Sequence, residues 1–161
     1  MGLFEPDERH RRQHGQRPLE RTGREAPLTK PRAVVVHCLP DARAALAAAA
    51  GLGRPLTLLS APGAAGSRGA LGFAALIREA AAAYPDVALT AILDCADEPG
   101  LALNALRHGI RHVRLEASGE VLAKIADMAG QIGASLDTTD WDILDLLDVR
   151  DAEAACRAWL G

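Results

Sequence analysis

Three short apolar runs separated by two helical patterns constrain the fold of this chain more than any other feature. The runs are Leu56–Leu59, Val87–Leu93 and His112–Leu115, and the helical patterns cover Leu71–Tyr84 and Gly100–His108. Short apolar runs that alternate with segments of helical periodicity are typical of parallel strands joined by crossover helices. The sequence therefore predicts an α/β unit with a parallel sheet.

Two further runs extend this predicted unit. Ala33–Val36 is rich in β-branched residues and apolar on both faces, which is typical of a strand covered from two sides, and Ala134–Leu136 is a candidate edge strand. We expect a three-layer α/β/α fold with a mostly parallel sheet of four to five strands. It forms a single α/β domain over residues 32–161. From about residue 140, apolar residues recur at helical spacing, so C-terminal helices are predicted there.

Composition and cysteine usage exclude several classes of protein. The 161 residues are 49% hydrophobic and 24% charged, which is ordinary for one globular domain. No apolar run approaches the roughly 18 to 20 residues of a membrane span, and no signal peptide is recognisable, so we expect a cytoplasmic protein. The three cysteines are widely spaced: Cys38, Cys95 and Cys156. They predict reduced thiols, and no metal site or cofactor is expected.

A basic tail, residues 1–31, precedes an acidic body. Residues 1–32 hold eight Lys or Arg against five Asp or Glu, a net +3, so the remaining ten against sixteen give −6. Without a periodic apolar face, the tail is predicted to be disordered. Spaced arginines can contact phosphates, but the interleaved acids and the 3% aromatic content argue against nucleic-acid binding. We expect a protein partner or self-association, and no membrane.

A glycine-rich loop follows the strand that ends at Ser60. Its glycines recur every third residue between a strand and a helix, which is typical of phosphate-binding loops whose amides attract anions. It matches neither the Gly-Lys-Ser/Thr of a P-loop nor the dinucleotide fingerprint, and a surface loop with permissive backbone angles explains it as well. The candidate anion-binding residues are Gly63, Gly66, Ser67, Arg68 and Gly69.

Polar residues follow each predicted strand, where parallel topology collects them at one edge of the sheet. An imidazole, a thiol, a hydroxyl and carboxylates could there perform acid–base or nucleophilic chemistry, or hold a divalent metal. No triad or metal-ligand spacing supports either chemistry, and a cysteine beside a strand is commonly a small buried apolar residue. The candidate catalytic residues are His37, Cys38, Ser60, Asp94 and Glu116.

Residues 56–128 resemble the second half of a response-regulator receiver domain. The stretch Leu-Leu-Ser60-Ala-Pro-Gly63 is similar to the phospho-acceptor strand and its loop, and Asn104–Gly109 is similar to the fourth helix. Arg114-Leu-Glu116-Ala-Ser118 falls at the fifth strand with its Lys-Pro. The resemblance implies a three-layer fold of the flavodoxin or receiver type, and a regulatory role.

The resemblance does not extend to the residues of phosphoryl transfer. Ser60 stands at the position of the acceptor Asp, Asp94 at that of the Thr or Ser, and Glu116 at that of the Lys. His37 and Cys38 replace the acidic pair after the first strand. The resemblance therefore implies a domain that does not accept a phosphoryl group.

Two other resemblances leave alternatives open. Aldolase-like barrels also contain strand-to-helix units that end in Ala-Leu-x-x-Gly, as Ala105 to Gly109 do, and the whole chain resembles a bacterial α/β family without an assigned function. We favour a non-catalytic, receiver-like regulatory or protein-interaction domain. The alternatives are a small enzyme that binds an anionic or phosphorylated metabolite at the carboxyl ends of the strands, and a metal- or small-ligand-binding protein. Whether the chain is an enzyme stays open.

Overall fold

Six strands and six helices make up the computed structural model, which describes residues 29–161. The strands are β1 (Arg32–Val36), β2 (Leu56–Ser60), β3 (Leu89–Asp94), β4 (His112–Arg114), β5 (Ser135–Asp137) and β6 (Asp142–Asp145). The helices are α1 (Leu39–Leu52), α2 (Ala64–Ser67), α3 (Gly69–Ala81), α4 (Pro99–Arg107), α5 (Gly119–Gln131) and α6 (Ala152–Leu160). The sequence analysis predicts that the tail is disordered. Residues 1–28 of that tail lie outside the described part of the chain.

The strands form one sheet in the order β5-β4-β3-β2-β1-β6, and all five pairings are parallel. The predicted α/β class with a parallel sheet is thereby confirmed. The sheet has six strands and not four to five, because β6 joins it at the free edge of β1.

The C-terminal segment differs from the prediction. Helices were expected from about residue 140, but Asp142–Asp145 is a strand, and helix begins only at Ala152, where the Asp151 carboxylate accepts the Ala154 amide at 3.0 Å. Ile143 and Asp145 pair with Ala33 and Val35 of β1. Hydrogen bonding to an open strand edge therefore overrides the helical spacing of the apolar residues.

All the helices pack on one face of the sheet. Buried residues of α1, α3 and α6 cluster with Val34 and Leu58, and those of α2 to α5 cluster with Leu93 and Val113. Consecutive strands are neighbours from β1 to β5, and right-handed crossovers between such strands place their helices on the same side.

The opposite face has a smaller apolar cluster. Side chains alternate between the two faces along a strand, so Ala33, Val35, Leu59 and Ile92 point away from the helices. Trp141, in the connection from β5 to β6, packs against them. In the described chain, helices thus cover one face of the sheet, and the segment 138–141 covers the other.

The short connection between β5 and β6 requires the sheet to curl. Five Cα-to-Cα steps from Asp137 to Asp142 reach at most about 18 Å. Six flat strands would separate the outer two by about 24 Å. Because β5 and β6 are the two outer strands, the sheet must curve around residues 138–141. We call the face that holds Trp141 the concave face.

The helices of residues 29–161 include none with both the length and the apolar character needed to cross a bilayer.

Candidate functional site

Ser60 and Asp94 lie at the carboxyl ends of β2 and β3 and are hydrogen bonded to each other. The Asp94 amide donates to the Ser60 hydroxyl at 2.8 Å, and Ser60 is buried. The Asp94 carboxylate accepts the amides of Gly63 at 2.8 Å and of Ala96 at 2.9 Å. Ala96 has a φ of +48°, which L-residues rarely adopt. These side chains therefore hold two strand ends and a strained turn in place.

His37 and Asp145 form a second pair at the ends of β1 and β6. His37 Nε2 lies 2.6 Å from Asp145 Oδ1, and the side chains are 24% and 49% exposed. Partial burial would raise the pKa of Asp145, but the Leu147 amide, 2.8 Å from the same oxygen, and His37 together lower it below its ordinary value. An imidazole oriented by a carboxylate can act as a general base.

Cys38 follows His37 at the start of α1. The Asp41 carboxylate accepts the amides of His37 at 2.9 Å and of Cys38 at 3.2 Å, so it caps the helix. Burial raises the pKa of the Cys38 thiol above its ordinary value. The thiol is therefore protonated at neutral pH, which does not favour a role as nucleophile.

The glycine-rich loop is folded into a turn and the short helix α2, which the sequence analysis missed. The Gly63 amide binds Asp94, the Gly66 amide donates to the Gly63 carbonyl at 3.0 Å, and the Arg68 amide donates to Ala64 at 2.8 Å. The Arg68 guanidinium donates to the His37 carbonyl at 2.6 Å. These amides are thus engaged within the chain. Gly63 and Gly69 have φ values of +66° and +76°, so backbone conformation requires glycine at both.

Two charged residues on the concave face, Arg114 and Asp137, were not among the candidate site residues of the sequence analysis. Arg114 of β4 pairs in register with both Asp94 and Asp137, and its guanidinium lies 3.5 Å from the Asp137 carboxylate. It also donates to the Thr139 carbonyl at 2.7 Å, and Trp141 Nε1 donates to Asp137 at 3.0 Å. Arg114 stands between the buried Val113 and Leu115. That alternation was the sequence signal that it faces away from the helices.

Glu116 and Ser67 are apart from these groups. Glu116 donates its backbone amide to Ala96 at 2.7 Å, and its side chain is exposed, as is that of Ser67. The structure therefore brings Ser60 together with Asp94. It also brings His37 together with Asp145 and with Arg68, whose guanidinium donates to the His37 carbonyl. Within residues 29–161, no cluster of three or more His, Cys, Asp or Glu side chains could hold a metal ion.

Five cavities lie in the part of the chain from residue 29 to residue 161, and none of them is lined by a candidate catalytic residue of the sequence analysis. A cavity of about 460 Å³ lies between α4 and α5, near the amino end of β4. We call it the α4–α5 groove. Its lining residues are Leu103, Leu106, Arg107, Gly109, Ile110, Arg111, Met128, Ile132 and Ala134.

Comparison with known proteins identifies a likeness of fold. No protein-family model matches the sequence, and no match is found among curated proteins. Among solved structures, a chain provisionally described as a fructose-1,6-biphosphate aldolase from Coccidioides immitis is similar, with a TM-score of 0.51 and 21% identity. The likeness covers 66% of this chain and 44% of that chain. At this identity it shows the fold alone.

Proposed function

We propose that this chain is a non-catalytic regulatory or protein-interaction domain that binds its partner in the α4–α5 groove. One observation carries the proposal: the strand-end groups Ser60 and Asp94 bind the chain's own backbone, whereas the groove presents apolar surface to solvent. Enzymes need convergent polar groups around a pocket. An interaction domain needs an accessible apolar surface with few charges.

The exposure of the groove residues supports this assignment. Met128 of α5 and Ile132, which directly follows that helix, are 44% and 55% exposed, and they are two of six exposed large apolar residues in the described chain. Leu106 and Ile110 are buried and form its floor. The groove thus combines an apolar floor with accessible side chains.

The receiver-like part of the proposal is supported by the sequence resemblance of residues 56–128. Phosphoryl transfer to a receiver uses a carboxylate nucleophile, a bound Mg²⁺ and a Lys that neutralises developing charge. At the matching positions this chain has the hydroxyl of Ser60, the carboxylate of Asp94 and that of Glu116. A regulatory role without phosphorylation is consistent with these substitutions.

Affinity capture in cells that express the protein tests the proposal. A Met128→Glu, Ile132→Glu variant should lose a partner that copurifies with the wild-type chain, because two carboxylates are placed in the apolar groove. Leu71→Glu is the matched control, since Leu71 is 65% exposed on α3. Retention of the partner by the groove variant, with loss in Leu71→Glu, would contradict the proposal.

The His37–Asp145 pair supports a second candidate, a small enzyme that acts on an anionic metabolite at the strand ends. Arg68, which contacts the His37 carbonyl, places a cation beside that pair. Calorimetric titration with inorganic phosphate and with phosphorylated sugars tests this alternative. Binding that disappears in Arg68→Ala and in His37→Gln would favour it, and equal heats for all three proteins would remove it.

A further inference from the structure

The α4–α5 groove combines apolar walls with two cations. Arg107 and Arg111 are exposed at its rim, and within residues 29–161 neither has an ion-pair partner. Among the described residues, the Arg111 guanidinium donates to the Gly133 carbonyl alone, at 3.1 Å. The nearby Asp127 of α5 accepts the Gln131 amide at 2.8 Å. The groove therefore suits a segment with large apolar side chains and negative charge.

The segment 1–8 has this composition. Leu3 and Phe4 are followed by Glu5, Asp7 and Glu8, and neither Lys nor Arg occurs within the segment. The arginines of the basic tail all come after it, so the acidic apolar segment is distinct from the remainder of the tail. Pro6 disfavours a helix that runs through the segment, which suits binding in an extended form.

The chain is long enough to place this segment in the groove. Thr29 and Lys30 lie near Arg54 and Pro55, just before β2, so the described chain begins at the amino ends of the strands. The groove includes Gly109 to Arg111, just before β4, and is at the same end of the sheet. β1 and β4 are three strand spacings apart, about 14 Å. Residues 9–28 can reach roughly 66 Å when extended.

We infer that residues 1–8 bind in the α4–α5 groove of their own chain, with Leu3 and Phe4 on its apolar floor and the acidic side chains at Arg107 and Arg111. The segment then competes with an external partner for the same surface. This rests on the proposed function, which names the groove as the binding surface. This inference and the proposed function can fail separately, because the inference is tested on the purified full chain without any partner protein.

The methionines provide a direct test by NMR. The chain has two, Met1 and Met128, so labelling with [¹³C-methyl]methionine gives a reporter in the segment and another in the groove. Met128→Leu assigns the two signals. In the full chain we expect a nuclear Overhauser effect between the Met128 methyl and the ring of Phe4. The double variant Leu3→Ala, Phe4→Ala should abolish it and shift the Met128 methyl signal.

Three comparisons complete the test. Arg107→Glu should shift the Met128 methyl signal in the same direction as the double variant, because it repels the acidic residues. Leu19→Ala, an apolar deletion elsewhere in the basic tail, should leave it unchanged. A peptide of residues 1–8 added to the double variant should restore the wild-type shift.

Two results would overturn the inference. One is a Met128 methyl signal that is identical in the wild type and in the double variant, with no contact to Phe4. The other is a contact whose intensity falls on dilution, because this would assign the groove to the segment of a second copy.

Discussion

The amide of Asp94 donates a hydrogen bond to the hydroxyl of Ser60, across the carboxyl ends of two neighbouring strands. Ser60→Ala removes the acceptor at a buried position, so we expect the free energy of unfolding to fall by about 1 to 3 kcal/mol. Urea unfolding measures this change. Ser67→Ala, at the exposed last residue of α2, is the control and should change stability by less than about 0.5 kcal/mol. Equal midpoints for the wild type and Ser60→Ala would show that the strand ends do not need this bond.

Asp145 should make stability depend on pH. Its pKa is lowered in the folded protein, so the folded state binds this proton less tightly than the unfolded chain does. The stabilisation is therefore present above the ordinary pKa of a carboxyl group and is lost as pH falls through the lowered value. Asp145→Asn should be less stable than the wild type at pH 6 and equally stable at pH 2.

Unfolding curves at the two pH values test the Asp145 prediction. Asp86→Asn, at an exposed loop position, serves as the control and should match the wild type at both. A difference between Asp145→Asn and the wild type that persists at pH 2 would assign the effect to packing and not to charge.

The three thiols should differ in reactivity. Burial raises the pKa of Cys95 and of Cys156 to about 11, and both side chains are inaccessible, whereas Cys38 is partly exposed. In the native protein we expect Ellman's reagent to modify Cys38 alone. Three thiols should react after unfolding in guanidinium. Modification of Cys95 or Cys156 at the rate of Cys38 would show that the helix layer opens readily.

Trp141 should contribute strongly to stability, because it covers the apolar cluster of the concave face. Trp141→Ala is expected to lower the free energy of unfolding by about 3 kcal/mol. Trp141→Phe keeps much of the packing but loses the bond to Asp137, so its effect should be smaller. An unchanged unfolding midpoint for Trp141→Ala would mean that residues 138–141 do not cover this face in solution.

We expect that acetyl phosphate will not phosphorylate the protein. In the sequence resemblance to receiver domains, Ser60 takes the position of the nucleophilic carboxylate, and its hydroxyl already accepts the Asp94 amide. Mass spectrometry of the intact chain after incubation with acetyl phosphate and Mg²⁺ tests this expectation, with a phosphorylatable receiver domain as positive control. A gain of one phosphate, located on Ser60 or Asp94, would contradict it.

The sequence predicted the elements that depend on local pattern. The apolar runs of β1 to β3 and the helical periodicity of α3 and α4 are properties of short segments, and the structure has all of them. β6 depends instead on the free edge of β1, which is formed by a distant part of the sequence, as the pairing of Arg32 with Asp142 shows. The helical spacing of Trp141, Leu144 and Leu147 gave no indication of that edge.

The candidate site was predictable to a similar degree. Parallel topology correctly placed Ser60 and Asp94 at adjacent strand ends, but their bond is between a side chain and a backbone amide, which residue types do not reveal. The partner of His37 was missed because Asp145 was expected on a helix. Arg114 and Asp137 were missed because the concave face exists only when the sheet is assembled.

The connection that crosses the concave face also orders events during synthesis of the chain. β1, β2 and β3 leave the ribosome long before Trp141, so Val35, Leu59 and Ile92 remain uncovered until synthesis has passed residue 141. β6 cannot pair with β1 any earlier, and closing so long a loop is slow. The nascent chain therefore exposes an apolar surface until this point, and a chain truncated before residue 141 is expected to keep that surface exposed and to aggregate more readily.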